Sequence, residues 1–303
     1  MENTRKYFSP ISDVGFKRLF ASEQNEDLRL QLLNAIITDG SPVISAELLN
    51  PEHAIRADTT ARFDLYCRRE DGSRIIVEMQ HSVHGNFPNR ALAYSSLAFI
   101  DQWNKGWEYK IDRVYFIGIL RENLFPGRPG KPITTVKLMS VDEPHIVVSD
   151  KYLQIYVELP KLASKAPGTM SDGELFLSAM NGIYEWDDRP EEYQGKVLDR
   201  LFAESAYGFL TDEERAKHDN VMTTERDYAE SLKYWAGESY KEGRAKGREE
   251  GLEEGREEGR EEGIKPLVTS LKKFLPDFDQ VYAAVIENEE YANLTEEQVK
   301  KYY

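Results

Sequence analysis

Little in this chain of 303 residues could cross-link it or anchor it. It has one cysteine, Cys67, which excludes an intrachain disulfide framework and any zinc site built on cysteine clusters. One thiol also fits a reducing compartment. No apolar run approaches the length of about 18 residues that a membrane-spanning helix needs. The opening stretch MENTRKYFSPISD lacks the apolar core of a signal peptide. These absences point to a cytoplasmic protein with no membrane partner. Basic charge is also scarce, and the net charge is −15. The deficit is uneven: residues 1–160 hold 19 basic and 21 acidic side chains, and the remainder hold 20 and 33. The first half is therefore near neutral, and a bound dication would offset its small excess. Charge alone neither excludes a phosphate-bearing ligand nor argues strongly for one.

What is present is enough apolar material for a core, 40% hydrophobic and 11% aromatic. Residues 10–37 place Phe16, Leu19, Phe20, Leu28, Leu32, Leu33, Ile36 and Ile37 at helical spacing, which predicts one or two helices ended by Asp39-Gly40 and Pro42. Strands are expected over 43–49, 62–69, 73–82, 113–120, 133–139 and 152–160. A helix over 87–106, stopping at Gly106, precedes the buried strand RVYFIGIL and allows a right-handed crossover to a parallel neighbour. The expected class is α/β, a mixed sheet flanked by helices, followed by a helical C-terminal extension.

From about 171 the pattern turns helical and acidic. Glycine then recurs every four residues, at 243, 247, 251, 255, 259 and 263. Glu and Arg can meet at i,i+3 and i,i+4 along such a run and support a helix. The glycines oppose it by about 1 kcal/mol each relative to alanine. The run is expected as a solvated helical stalk. The alternative is a self-association segment that would make a homodimer through this repeat. TEEQ at 295–298 has the form of a capping box for a last helix.

One acid sits where none is expected. Glu78 lies in RIIVEMQHS among Ile75, Ile76, Val77 and Met79, with Gln80 on its own face. Asp64 is on the preceding strand, and register decides whether the two meet. A two-residue turn at Asp71-Gly72 would set Asp64 beside Met79. A three-residue loop, Glu70-Asp71-Gly72, pairs Arg69 with Ser73 and sets Asp64 opposite Glu78. That loop wants its third residue in the left-handed region, and Gly72 is the third residue. The second register is therefore expected. Two carboxylates so close repel each other, and each is costly to desolvate alone. A hard divalent cation resolves both problems. On spacing alone the alternative stays open that the acids pair with Arg62 or Arg74. His81 and His84 are expected as solvated loop residues.

SPISDVGFKRLF, LLNAII, RFDLYCRREDGSRIIVEMQ, FPNRALAYSSLAFIDQ and VELPKL occur in order. Together they resemble the Rpn family of recombination-promoting nucleases and transposase-like proteins, a branch of the PD-(D/E)XK nucleases. The resemblance covers residues 7–162 well. It implies a nuclease-like domain over 1–165, followed by a helical extension over 166–238, the repeat over 239–265 and a small helical module over 266–303. It implies a DNA endonuclease using Mg²⁺, with Mn²⁺ as the alternative. Asp64 and Glu78 would be the metal-binding acids and the Met79 carbonyl a third ligand. Gln80 falls where the superfamily usually has a catalytic lysine. Glutamine cannot carry charge, but it can orient water. Lys17 and Arg90 are the candidates for the missing cation. Asp13 is expected to cap the first helix, and Tyr94 to pack beside the site. The rival expectation is a catalytically weak or inactive nuclease-fold module that binds DNA or protein partners through its helical tail.

Overall fold

The computed structural model describes residues 5–40, 42–56, 59–80, 86–103, 110–128 and 130–303. Contacts divide the chain into two compact units, 1–224 and 225–303.

The first unit opens with helices α1 (Asp13–Phe20) and α2 (Glu26–Ile36). Ser12 caps α1, its Oγ accepting from the Gly15 N–H, so Asp13 is not the cap. Asp13 lies in the first turn and pairs with Lys17 one turn on. The strands β1 (Ala46–Leu48), β2 (Glu52–Arg56), β3 (Thr59–Arg62), β4 (Leu65–Arg69) and β5 (Arg74–Gln80) follow. Then come α3 (Phe87–Ile100), β6 (Val114–Leu120), β7 (Ile133–Met139) and β8 (Val147–Glu158). Helices α4 (Leu159–Ala163), α5 (Asp172–Gly182), α6 (Lys196–Glu204) and the start of α7 (Asp212–Leu271) complete the unit.

Six strands form a mixed sheet in the order β1-β4-β5-β6-β8-β7. β5, β6 and β8 run parallel, and α3 makes the crossover from β5 to β6. Side chains alternate across β5. Ile75, Val77 and Met79 join the core under α1, α2 and α5, while Ile76 joins a second cluster with Phe87, Ala91 and Ala98 of α3. The α/β architecture with helices on both faces is the one expected. The strand expected over 62–69 is divided, however. Its first residue, Arg62, ends β3, which pairs with β2 in a separate two-stranded sheet, and Leu65–Arg69 form β4. The chain changes sheets at Phe63 and Asp64, where the Asp64 N–H turns to a side chain rather than to a ladder. The helix expected over 87–106 is described to Ile100, and Gly106 lies outside the described residues.

At the end of β8 a buried ion pair, Glu158 with Lys161 at 2.6 Å, grips the main chain of Phe125. Glu158 accepts the Phe125 N–H at 2.9 Å, and Lys161 donates to the Phe125 carbonyl at 2.9 Å. The second unit holds the rest of α7, then α8 (Phe278–Ile286) and α9 (Glu296–Lys300), packed around Ile264, Val268, Val281, Val285, Tyr291 and Val299. Thr295 and Gln298 form the expected capping box.

Candidate active site

The hairpin of β4 and β5 sets the site. Arg69 N–H donates to the Ser73 carbonyl at 2.9 Å, and Gly72 takes φ +88°, so the loop is Glu70-Asp71-Gly72. Leu65 pairs with Val77, and the next row outward holds Asp64 and Glu78. Their side chains share the face covered by α3. Each carboxylate accepts from the main chain of the opposite strand. Glu78 Oε1 takes the Asp64 N–H at 3.1 Å, and Asp64 Oδ2 takes the Met79 N–H at 2.8 Å. Among the described residues neither acid pairs with Arg62 or Arg74: Arg62 faces Glu52, and two buried nitrogens of Arg74 have no hydrogen-bond partner there.

Glu78 is only 4% exposed. Burial, then the charge of Asp64, pushes its carboxyl up to about 8. Burial raises Asp64 as well, opposed by the Met79 N–H and by Lys17. Arg90 and Lys17 both pull against the shift at each acid, which puts both cations within electrostatic reach of the pair. The Asp13 carboxylate acts on Asp64 in the opposite sense.

Arg90 comes from the first turn of α3. Its Nη2 donates to Gln80 Oε1 and lies 3.4 Å from Glu78 Oε2. Its Nε is buried with no hydrogen-bond partner among the described residues. The guanidinium lies over the rings of Phe87 and Tyr94, at 5.1 and 5.7 Å. Tyr94 also packs on Phe63, with ring centroids 5.0 Å apart. Asp64, Glu78, Gln80 and Arg90 thus converge, Lys17 stands by electrostatically, and the Met79 main chain lies between the acids. His81 and His84 lie outside the described residues.

Sequence reasoning passed over one contributor, Gly118. It sits beside Glu78 on β6, and a Cβ there would meet the Phe87 ring at 2.7 Å. The bare backbone lets Phe87 lie flat enough to seat Arg90. The signal was a lone glycine within the apolar strand VYFIGIL, which marks a close approach.

The donor set is hard oxygen, which suits a hard divalent ion. No group of three or more His, Cys, Asp or Glu residues that could hold a metal occurs among the described residues. A cation between Asp64 and Glu78 would therefore complete its shell with main-chain oxygen and water. No helix among the described residues is long and apolar enough to cross a membrane.

Searches of curated proteins and of solved structures gave no match. The family model described as PD-(D/E)XK nuclease family transposase matches residues 10–235. Both acids, Gln80, Lys17 and Arg90 fall within the matched span. Nucleases of this superfamily typically use divalent metal ions. By that match and by its mixed sheet, the chain belongs to the PD-(D/E)XK nuclease family transposases.

Proposed function

We propose that this protein is a Mg²⁺-dependent DNA endonuclease, with Mn²⁺ as the alternative ion, acting in recombination or with mobile elements. The observation that carries the proposal is the placing of two carboxylates, Glu78 buried and Asp64 half-buried, directly across the β4–β5 hairpin, each oriented by the other strand's N–H. Asp64 and Glu78 hold the ion, with the Met79 carbonyl as third ligand. When bound there, a dication polarises a non-bridging phosphate oxygen and lowers the pKa of a bound water. Gln80 orients that water through its amide, which offers both a donor and an acceptor. Arg90 already fixes the Gln80 amide, and its partly exposed guanidinium offers positive charge to a phosphate oxygen. Lys17 adds positive charge from α1 against the charge that develops at phosphorus. We assign this chemistry to residues 1–165, with 166–238, the repeat over 239–265 and the module over 266–303 as appended helical parts.

The test is nicking of supercoiled plasmid by purified protein with Mg²⁺. Asp64→Ala is expected to fall to background, and Arg90→Ala to lose about 10²–10³-fold, as for removal of one preorganised donor. Equal nicking by wild type and Asp64→Ala would overturn the assignment.

One observation favours a second reading. The Arg90 guanidinium already touches Glu78 and Gln80, as a permanent counter-ion would in a nuclease fold kept only as a binding scaffold. Calorimetry separates the two. Metal binding that is lost in Glu78→Ala supports the nuclease, and no metal binding by wild type supports the scaffold.

A further inference from the structure

The hairpin of β7 and β8 outruns the rest of the sheet. β6 pairs with β8 only from Tyr152 to Glu158. Earlier residues of β8 meet β7 alone, Ser149 with Leu138 and Val147 with Met139, across an irregular register. A two-stranded arm is marginal in water by itself. This arm and the edge leading into it nevertheless expose Val136, Leu138, Met139, Val141, Ile146 and Val148, from 39% at Val136 to 93% at Val141. β7 is also the last strand in the sheet order, so one row of its backbone groups faces outward. Apolar side chains and an open ladder on one edge mark an interaction surface.

The charges around that edge say what fits it. Arg128 and Lys131 precede β7, and Asp142 and Glu143 follow it. A second copy laid parallel would set like charges together. Laid antiparallel, it brings the basic end of each copy to the acidic end of the other. The two charged ends lie about equally far from Val136, which places the crossing point there. Lys137, the one charge within β7, then stands opposite Thr135 of the second copy and not opposite another lysine. The contact is self-complementary, as a two-fold interface must be.

We propose that the β7 edge with its arm is a homodimer interface, at which a second copy of this chain adds antiparallel about a two-fold axis at Val136. It is independent of the chemistry at Asp64 and Glu78, and it competes with self-association through the glycine repeat.

The single cysteine makes the test direct. Cys67 is buried, and burial pushes its thiol up to about 12, so it adds little background. Facing Cα atoms in an antiparallel pair are about 4.5–5.5 Å apart, within the range of about 4.4–6.8 Å that a disulfide spans. Full-length protein is expected to scatter light with twice its mass of 34.9 kDa. Under mild oxidation Val136→Cys is expected to give a covalent dimer. Leu138→Asp combined with Val148→Asp, both at exposed positions, is expected to give a monomer with unchanged circular dichroism. A monomeric wild type would overturn the proposal. So would a dimer that survives the double substitution and cross-links through Leu252→Cys in the repeat instead of Val136→Cys.

Discussion

Glu78 is an acid held protonated by its surroundings, and that has a thermodynamic sign. Burial and the Asp64 charge push its carboxyl up to about 8 in the folded, metal-free protein, from an ordinary glutamate value of 4.5. Between those values the folded state binds a proton that the unfolded state has released. Stability from this group is complete below about pH 4.5 and is lost as pH rises through 8, each unit of displacement being worth about 1.4 kcal/mol. The melting temperature of metal-free protein is therefore expected to fall from pH 5 to 8, and Glu78→Gln to flatten that slope. A steeper fall in the variant would contradict the origin given to the shift. Gly118 supplies a second residue-scale expectation. Gly118→Ala would push Phe87 aside and with it the seat of Arg90. Under the proposed mechanism, plasmid nicking should drop while metal affinity, measured by calorimetry, stays within about threefold of wild type, a binding difference of about 0.65 kcal/mol.

At the scale of elements, the hairpin register follows from one backbone angle. Gly72 sits at φ +88°, and a Cβ there would also meet the Asp112 carboxylate at 2.7 Å. Gly72→Ala is expected to cost about 1–2 kcal/mol, read as a lower denaturant midpoint at unchanged slope. This hairpin was legible in the sequence because loop length, a glycine at the third position and alternating side chains all act locally. Glu78 was legible because an acid in an apolar strand is an anomaly visible without coordinates, Asp64 because the loop length sets it opposite Glu78, and Gln80 because it lies two residues on along the same face. The partition of 59–69 between two sheets was not, since it depends on the Asp64 N–H finding the Glu78 carboxylate 14 residues on. Nor was the length of β8, expected from 152 and found from Val147, because polar Ser149, Asp150 and Lys151 interrupt the pattern that periodicity reads. The capping of α1 by Ser12 rather than Asp13 turned on a single position, within the reach of local rules but not of spacing.

At the scale of the whole molecule, two units with separate apolar cores share one chain. The glycines at 243, 247, 251, 255 and 259 have no atoms near enough to oppose a methyl group. Replacing Gly247, Gly251 and Gly255 by alanine is therefore expected to stabilise that stretch of α7 by about 1 kcal/mol each, seen as a stronger helical dichroism signal. Gly263 differs: a Cβ there would run into the Tyr291 hydroxyl at 2.2 Å, so alanine at 263 should loosen the C-terminal unit instead. Between these extremes lies a consequence of the bare glycines. A helix without packing and without side-chain propensity opens before the folded bodies at either end of it. Arg244, Arg248, Arg256 and Arg260 are all exposed there. Trypsin should therefore cut the native protein first within this run and leave two resistant fragments, whereas the triple-alanine variant should survive longer in the same digest.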